Sequence, residues 1–217
     1  MGLLDEIAQV VERTTAGIDY RDLDRVEGDK QVHELSGGQV EDHLSVTVNG
    51  RAARFGISPG WSACNADELA RIPGPDPRTG TAVCAALYRQ DAGPQYVGSI
   101  QVLSVRGKVQ FWQRRPDPEL WLLKAERQHG LRALGRVTKI RFADDIAYLW
   151  HLGGTMAGAA LGWPDRAAVD VRSCELWLPL TDGILRILLF ALPERIQEGY
   201  EALCTVICSW QWDEGQA

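Results

Sequence analysis

The sequence predicts an α+β domain in which antiparallel strands are packed with helices. Two observations predict this fold class. Alternating apolar residues flank Asn49-Gly50, a pair that favours a two-residue hairpin turn because both turn positions take positive φ. The last quarter then contains a strand, a tight turn at residues 181–183, an apolar strand and one amphipathic helix. Both stretches indicate strands that pair in antiparallel fashion through short turns.

Length and composition restrict the kind of protein. A chain of 217 residues fits one large domain, or one domain with an appendage. There is no run of 18 apolar residues that would predict a membrane span. The first 20 residues lack the basic start and apolar centre of a signal peptide. The five cysteines are odd in number and irregularly spaced, unlike a disulfide framework. We therefore expect a cytoplasmic protein.

Negative charge is concentrated at the start of the chain. The formal net charge is −6, and residues 1–50 hold 11 Asp and Glu against 4 Lys and Arg. The remainder is nearly balanced, which disfavours a surface that tracks the phosphates of a nucleic acid. The acidic quarter is either a solvated surface or a docking site for a basic partner.

The first 30 residues are predicted to form an arm in front of a single domain at 31–217. Residues 3–14 have the pattern of an amphipathic helix, and a polar linker occupies 19–30. The apolar stripe of this helix consists of Leu3, Leu4, Ile7, Val10 and Val11. A free helix would expose that stripe, which soluble monomers seldom tolerate. We therefore expect the arm to dock on a protein partner or on a second copy of the chain.

The first half of the domain is predicted as a hairpin, a short helix and two strands. Alternation of apolar residues places the hairpin at 43–57. The capping-box spacing from Asn65 to Glu68 opens the short helix. Strands follow at 82–89 and 96–105, after a loop that is rich in proline and glycine.

A long helix and a second set of strands are predicted next. Asp117 caps the helix, Pro118 takes its first position and Gly135 ends it. Its apolar face consists of Leu120, Leu123, Leu131 and Leu134. Strands are predicted at 137–142 and 145–152.

The end of the domain is predicted as a loop, a strand pair and a helix. Small residues at 153–162 predict the loop. The apolar strand from Ile184 stops at Pro193, and the helix that follows has one apolar face. That face consists of Ile196, Tyr200, Leu203 and Ile207. In the tail, at most one of Trp210 and Trp212 is predicted to face inward.

This order of elements resembles the Mog1/PsbP-like fold, particularly that of the bacterial LpqN-type and DcrB-like proteins. The residues that carry the resemblance are Ile57-Ser58-Pro59-Gly60-Trp61, the strand at 96–105, and the segment 200–210 that closes on an aromatic residue. The resemblance covers about residues 43–212. It implies an antiparallel sheet of about six or seven strands with helices packed on it. It also implies an accessory protein without enzymatic activity.

No catalytic, cofactor-binding or metal-binding residues are predicted. The sequence has neither a nucleophile-elbow pattern nor a phosphate-binding glycine loop. His33 and His43, with Glu41 and Asp42, form the one grouping that suggests a metal, but their spacing matches no known ligand pattern. His151 ends an apolar strand, where a hydrogen-bonded structural role is favoured over that of a base.

One aromatic and basic patch is a candidate for partner binding. Phe111, Trp112, Arg114 and Arg115 are interleaved, as in patches that stack on bases or anchor a protein. The alternative is a strand end that packs beneath the long helix.

Three functions follow from these observations. The leading hypothesis is a protein-binding module that acts as an adaptor, chaperone or assembly subunit, using this patch and the stripe of the arm. The first alternative is a small-molecule or lipid-binding domain, or a hydrolase, with a pocket near residues 153–163. The second is a purely structural subunit.

Overall fold

A computed structural model describes most of the predicted domain. The described residues are 32–72, 81–90, 96–106, 122, 126–127, 130–135, 137–157 and 167–213. The predicted N-terminal helix, the patch at 111–115 and the start of the long helix lie outside these ranges and stay predictions. No described helix is long and apolar enough to cross a membrane.

The described residues are mostly β-structure. In chain order the strands are β1 (Val32–His33), β2 (Asp42–Val48), β3 (Arg51–Ile57), β4 (Ser62–Ala63), β5 (Thr81–Gln90), β6 (Tyr96–Arg106), β7 (Arg132–Ala133), β8 (Thr138–Phe142), β9 (Asp145–Met156), β10 (Val169–Leu180), β11 (Gly183–Ala191) and β12 (Gln211–Trp212). The described helices are α1 (Ala66–Arg71), a 3₁₀ turn (Pro193–Arg195) and α2 (Ile196–Cys208).

The strands form two sheets rather than one sheet of six or seven strands. The main sheet has nine strands in the order β1-β8-β9-β10-β11-β6-β5-β4, and β7 also pairs with β9. A second sheet has the order β12-β3-β2. All the pairs are antiparallel except β1 with β8, which is parallel. The strand number that the resemblance implied is too low for the described residues. Four of the twelve strands have only two residues, too few to show an alternating pattern.

The predicted hairpin and short helix are confirmed. At the β2–β3 turn Asn49 and Gly50 have φ values of 51° and 87°, as a two-residue turn of this type requires. The side chain of Asn65 accepts from the amides of Asp67 and Glu68, and the side chain of Glu68 accepts from the amide of Asn65. Local turn and capping chemistry therefore fixes both elements.

The main sheet is covered on both sides. On the side that we call the helix side, α2 and the second sheet pack on the main sheet through residues such as Phe55, Leu176, Ile187, Leu203 and Ile207. On the other side, which we call the far side, a separate core contains Leu103, Trp150, Trp177, Leu188 and Phe190. The two sides alternate along each strand because successive side chains point in opposite directions.

Both tryptophans of the tail project to the same side, so the prediction that at most one faces inward is wrong. Trp210 is buried and stacks on Phe55 at a ring distance of 5.3 Å. Trp212 lies 5.3 Å from Trp210, edge to face, and is half-buried. Residues two positions apart share one side of an extended chain, which the prediction overlooked.

The predicted long helix ends earlier than Gly135. Gly130 has a φ of 66°, and the amide of Leu131 donates to the carbonyl oxygen of Glu126 over 3.1 Å. This is the pattern of a glycine that terminates a helix. The next residues form β7 on β9, and the side chain of Leu134 is 52% exposed instead of lying on an apolar helix face.

The predicted small-residue loop begins later than residue 153. Residues 153–156 continue β9 and pair with β10. Gly153 and Gly154 were predicted to begin a loop because glycine is uncommon inside strands. A strand can contain glycine where another group packs closely against its backbone.

Candidate functional site

Four side chains that can gain or lose a proton lie close together on the helix side of the sheet: one histidine, two cysteines and one tyrosine. His151 on β9 and Cys174 on β10 are directly opposed, with 2.9 Å between Nδ1 and Sγ. From α2, the ring of Tyr200 lies 5.7 Å from that of His151, and Cys204 follows Tyr200 by one helical turn. We call these four residues the imidazole–thiol cluster.

Burial keeps the cluster uncharged near neutral pH. It raises the pKa of Cys174 to about 12, with the nearby Cys204 adding to the effect. Burial also lowers the pKa of His151. The contact between Nδ1 of His151 and Sγ of Cys174 therefore joins a neutral imidazole to a neutral thiol.

The other two members of the cluster also stay protonated. Burial raises the pKa of Tyr200 to about 12 and that of Cys204 to about 11. A thiol attacks substrates and binds metals as a thiolate. The cluster therefore joins α2 to β9 and β10 by packing and weak hydrogen bonds, and its protonation states disfavour nucleophilic chemistry.

Acidification is expected to destabilise the domain through His151. Its folded pKa lies below the ordinary value of 6.5, so the unfolded chain binds a proton that the folded chain does not. The free energy of unfolding should therefore fall as the pH drops through about 6.5, and it should be restored above that pH. Chemical denaturation between pH 5 and 8, for the natural chain and His151→Gln, measures this.

The exposed His43 on β2 provides the matched control. His43→Gln should keep the pH dependence of the natural chain, whereas His151→Gln should flatten it. Identical pH profiles for the natural chain and His151→Gln would contradict the role given to this imidazole.

A buried ion pair lies on the far side of the same strands. Glu175 is 0% exposed and Arg186 is 4% exposed. One carboxylate oxygen of Glu175 accepts from Nε of Arg186 at 2.9 Å, from Nη2 of Arg186, and from Nε1 of Trp177 at 2.5 Å. The guanidinium also lies 4.7 Å from the centre of the Trp177 ring. We call Glu175 and Arg186 the far-side ion pair; Trp177 contacts both of them.

Two further polar atoms lie in the same core. Trp150 and Ser173 are on the far side of β9 and β10, and both are almost fully buried. Within the described part of the chain, Nε1 of Trp150 and Oγ of Ser173 have no hydrogen-bond partner. Buried polar groups lower stability unless they are hydrogen-bonded, so this stretch of core is unusually polar.

The structure does not bring the suspected metal ligands together. His33 lies on β1 in the main sheet and His43 lies on β2 in the second sheet. A carboxylate oxygen of Glu41 accepts from the amide of Gly60, and one of Asp42 accepts from the amide of His43. Within the described residues, no three histidine, cysteine or acidic side chains form a metal-binding group.

The predicted partner-binding residues are all outside the described ranges. The imidazole–thiol cluster and the far-side ion pair were not predicted as sites. Both depend on the register between β9, β10 and β11, which joins residues 11 to 23 positions apart. The apolar character of these strands was the available signal, since a charged residue inside such a run needs a buried partner.

Comparison with known proteins finds similar solved structures, including the two named below, and no family. No protein-family model matches the chain, and no curated protein matches it. The chain is similar to LpqN of Mycobacterium tuberculosis, described as involved in cell envelope biogenesis. The match has 13% identity and a TM-score of 0.44, and covers 79% of this chain and 90% of that one. It is also similar to the cyanobacterial PsbP (CyanoP) of Synechocystis sp. PCC 6803. That match has 10% identity and a TM-score of 0.44, over 82% and 96% of the two chains.

Both proteins are of the kinds that the sequence resemblance named, and the resemblance is confirmed as a weak match. At these identities and TM-scores neither protein carries a conclusion about what this chain does.

Proposed function

We propose that the chain is a non-enzymatic accessory protein of the cytoplasm, which binds a protein partner as an adaptor, chaperone or assembly subunit. The observation that supports this best is the state of the imidazole–thiol cluster. Its His–Cys pair has the right residue types for covalent catalysis. However, Cys174 is buried, with a pKa raised to about 12, so almost no thiolate is available near neutral pH.

The arm is the proposed main contact. The stripe of Leu3, Leu4, Ile7, Val10 and Val11 gives a partner an apolar surface. The acidic residues beside that stripe, such as Asp5, Glu6 and Glu12, favour a partner with a basic rim. The patch of Phe111, Trp112, Arg114 and Arg115 is proposed as a second contact.

The segment that follows the arm is attached to the domain by its own contacts. The amide of Gly38 donates to Oγ1 of Thr205 at 3.0 Å, and Sγ of Cys208 donates to the carbonyl oxygen of Leu35 at 3.3 Å. Val32 and His33 pair with β8 at the edge of the main sheet. These contacts hold residues 32–38 independently of residues 1–18.

Deleting residues 1–18 should therefore leave the thermal unfolding midpoint nearly unchanged while it weakens association. The contacts of residues 32–38 with α2 and β8 remain in the shortened chain. Calorimetry measures the midpoint. Light scattering and co-purification from the native cells measure self-association and partner binding.

A pair of full-length variants separates the stripe from the arm as a whole. Ile7→Glu changes the apolar stripe and Gln9→Glu changes the polar face of the same predicted helix. Only Ile7→Glu should weaken association. A large loss of stability with unchanged association would show that the arm belongs to the core, and would reject the proposal.

A further inference from the structure

Three strands place two arginines and one glycine in a single row on the helix side of the sheet. Arg132 on β7 is directly opposed to Gly153 on β9, and Gly153 is directly opposed to Arg172 on β10. Directly opposed residues of antiparallel strands project to the same side. Strands are spaced by about 4.8 Å, so the two arginines begin only about 10 Å apart across the glycine.

The glycine leaves room for a guanidinium. Nη1 of Arg172 occupies the place that a Cβ on Gly153 would take, and Cζ lies 3.3 Å from that place. Any larger residue at position 153 would displace this side chain. Cδ1 of the exposed Leu134 lies 2.9 Å from the same place and forms an apolar wall. We call this place, where the guanidinium of Arg172 lies over the buried Gly153 with Arg132 on the neighbouring strand β7, the Gly153 notch.

Neither guanidinium is neutralised by a neighbour within the described residues. Arg132 is exposed and Arg172 is half-buried. The ion pairs found among the described residues include neither arginine, and two acidic residues of this region have hydrogen bonds of their own. One oxygen of Asp170 accepts from the hydroxyl of Thr155 at 2.6 Å, and one oxygen of Glu126 accepts from the amide of Ala133 at 2.6 Å. Like charges in one cross-strand row are unfavourable, and a bound anion would relieve the repulsion.

The next row adds an imidazole. The amide of Leu134 donates to the carbonyl oxygen of His151 at 2.9 Å, and His151 lies two residues before Gly153 on the same side of β9. Nδ1 of His151 faces the thiol of Cys174, so Nε2 is the ring nitrogen left for a ligand. His151 is half-buried, so part of its ring is accessible from outside.

We propose that Arg132, Arg172 and His151 bind the phosphate group of a phosphate monoester at the Gly153 notch. Two guanidinium groups match the charge of a dianion and offer planar pairs of donors to its oxygens. This site does not include the arm, so a test of phosphate binding does not depend on the proposed partner binding.

Isothermal titration of the full chain with inorganic phosphate tests the site. Saturable binding is expected for the natural chain. Arg132→Met and Arg172→Met keep the apolar stem and remove the charge, and each should weaken binding about tenfold. Arg54→Met, an exposed arginine of the second sheet, is the matched control and should bind phosphate as the natural chain does.

Two further ligands distinguish the source of the phosphate group. Adenosine monophosphate represents nucleotides and O-phosphoserine represents phosphorylated peptides. Tighter binding of either, with the same dependence on Arg132 and Arg172, supports the site and identifies its ligand class. Two outcomes would overturn it: no saturable binding up to about 10 mM, which is weaker than most specific sites, or equal binding by the natural chain and both arginine variants.

Discussion

Glu175→Gln is expected to lower the free energy of unfolding by about 3–5 kcal/mol, because it removes one partner of a buried ion pair. Glutamine has nearly the same shape and can still accept from Nε1 of Trp177. It leaves the guanidinium of Arg186, which is 4% exposed, without its counter-charge. Denaturation in urea at neutral pH measures the loss.

Two comparisons make this test specific. Glu34→Gln changes an exposed carboxylate and should alter stability by less than about 0.5 kcal/mol. Replacing Glu175 and Arg186 together with methionine should cost less than Glu175→Gln alone, since an apolar pair leaves no charge unpaired. A loss under about 1 kcal/mol for Glu175→Gln would show that water reaches the pair.

Trp210→Ala is expected to cost about 3–5 kcal/mol, the usual range for removing a buried aromatic side chain. Trp210 is 3% exposed and joins two sheets. Its ring stacks on Phe55 of β3 at 5.3 Å and meets Phe142 of β8 at 5.4 Å. Without this ring, the contact between the second sheet and the edge of the main sheet would contain a cavity.

The neighbouring Trp212 provides the comparison within the same tail. It is half-buried, and the guanidinium of Arg51 lies 4.3 Å from its ring centre. Exposed cation–π contacts contribute about 0.5–1 kcal/mol, so Trp212→Ala should cost less than half as much as Trp210→Ala. Equal losses for the two variants would contradict the central position given to Trp210.

Features set by neighbouring residues could be predicted from the sequence. The β2–β3 turn needs positive φ at Asn49 and Gly50, and the cap of α1 needs Asn65 and Glu68 three positions apart. Each of these is a local requirement. The strand pair β10–β11 and α2 were predicted for the same reason, from an uninterrupted pattern.

Features set by register could not be predicted. β7 has two residues, and its position on β9 depends on a helix that ends at Gly130, five residues earlier than predicted. Only that pairing places Arg132 in line with Gly153 and Arg172. His151 was predicted as a hydrogen-bonded residue at a strand end. It is hydrogen-bonded, but β9 continues to Met156. Its partner Cys174 lies 23 positions away, and no sequence spacing indicates which residue will lie opposite.

The hydrogen bonds between residues 35–56 and residues 205–209 have a consequence for synthesis of the chain. Gly38 and Thr205 are separated by 167 positions, and Gly56 and Ser209, joined by a hydrogen bond of 2.7 Å, by 153. Closing such distant contacts is slow and waits for both partners. On the ribosome the contacts of Leu35 and Gly38 with α2 therefore cannot form until the last helix emerges. For most of translation these contacts are therefore missing, and the domain is completed only when its C-terminal residues have been synthesised.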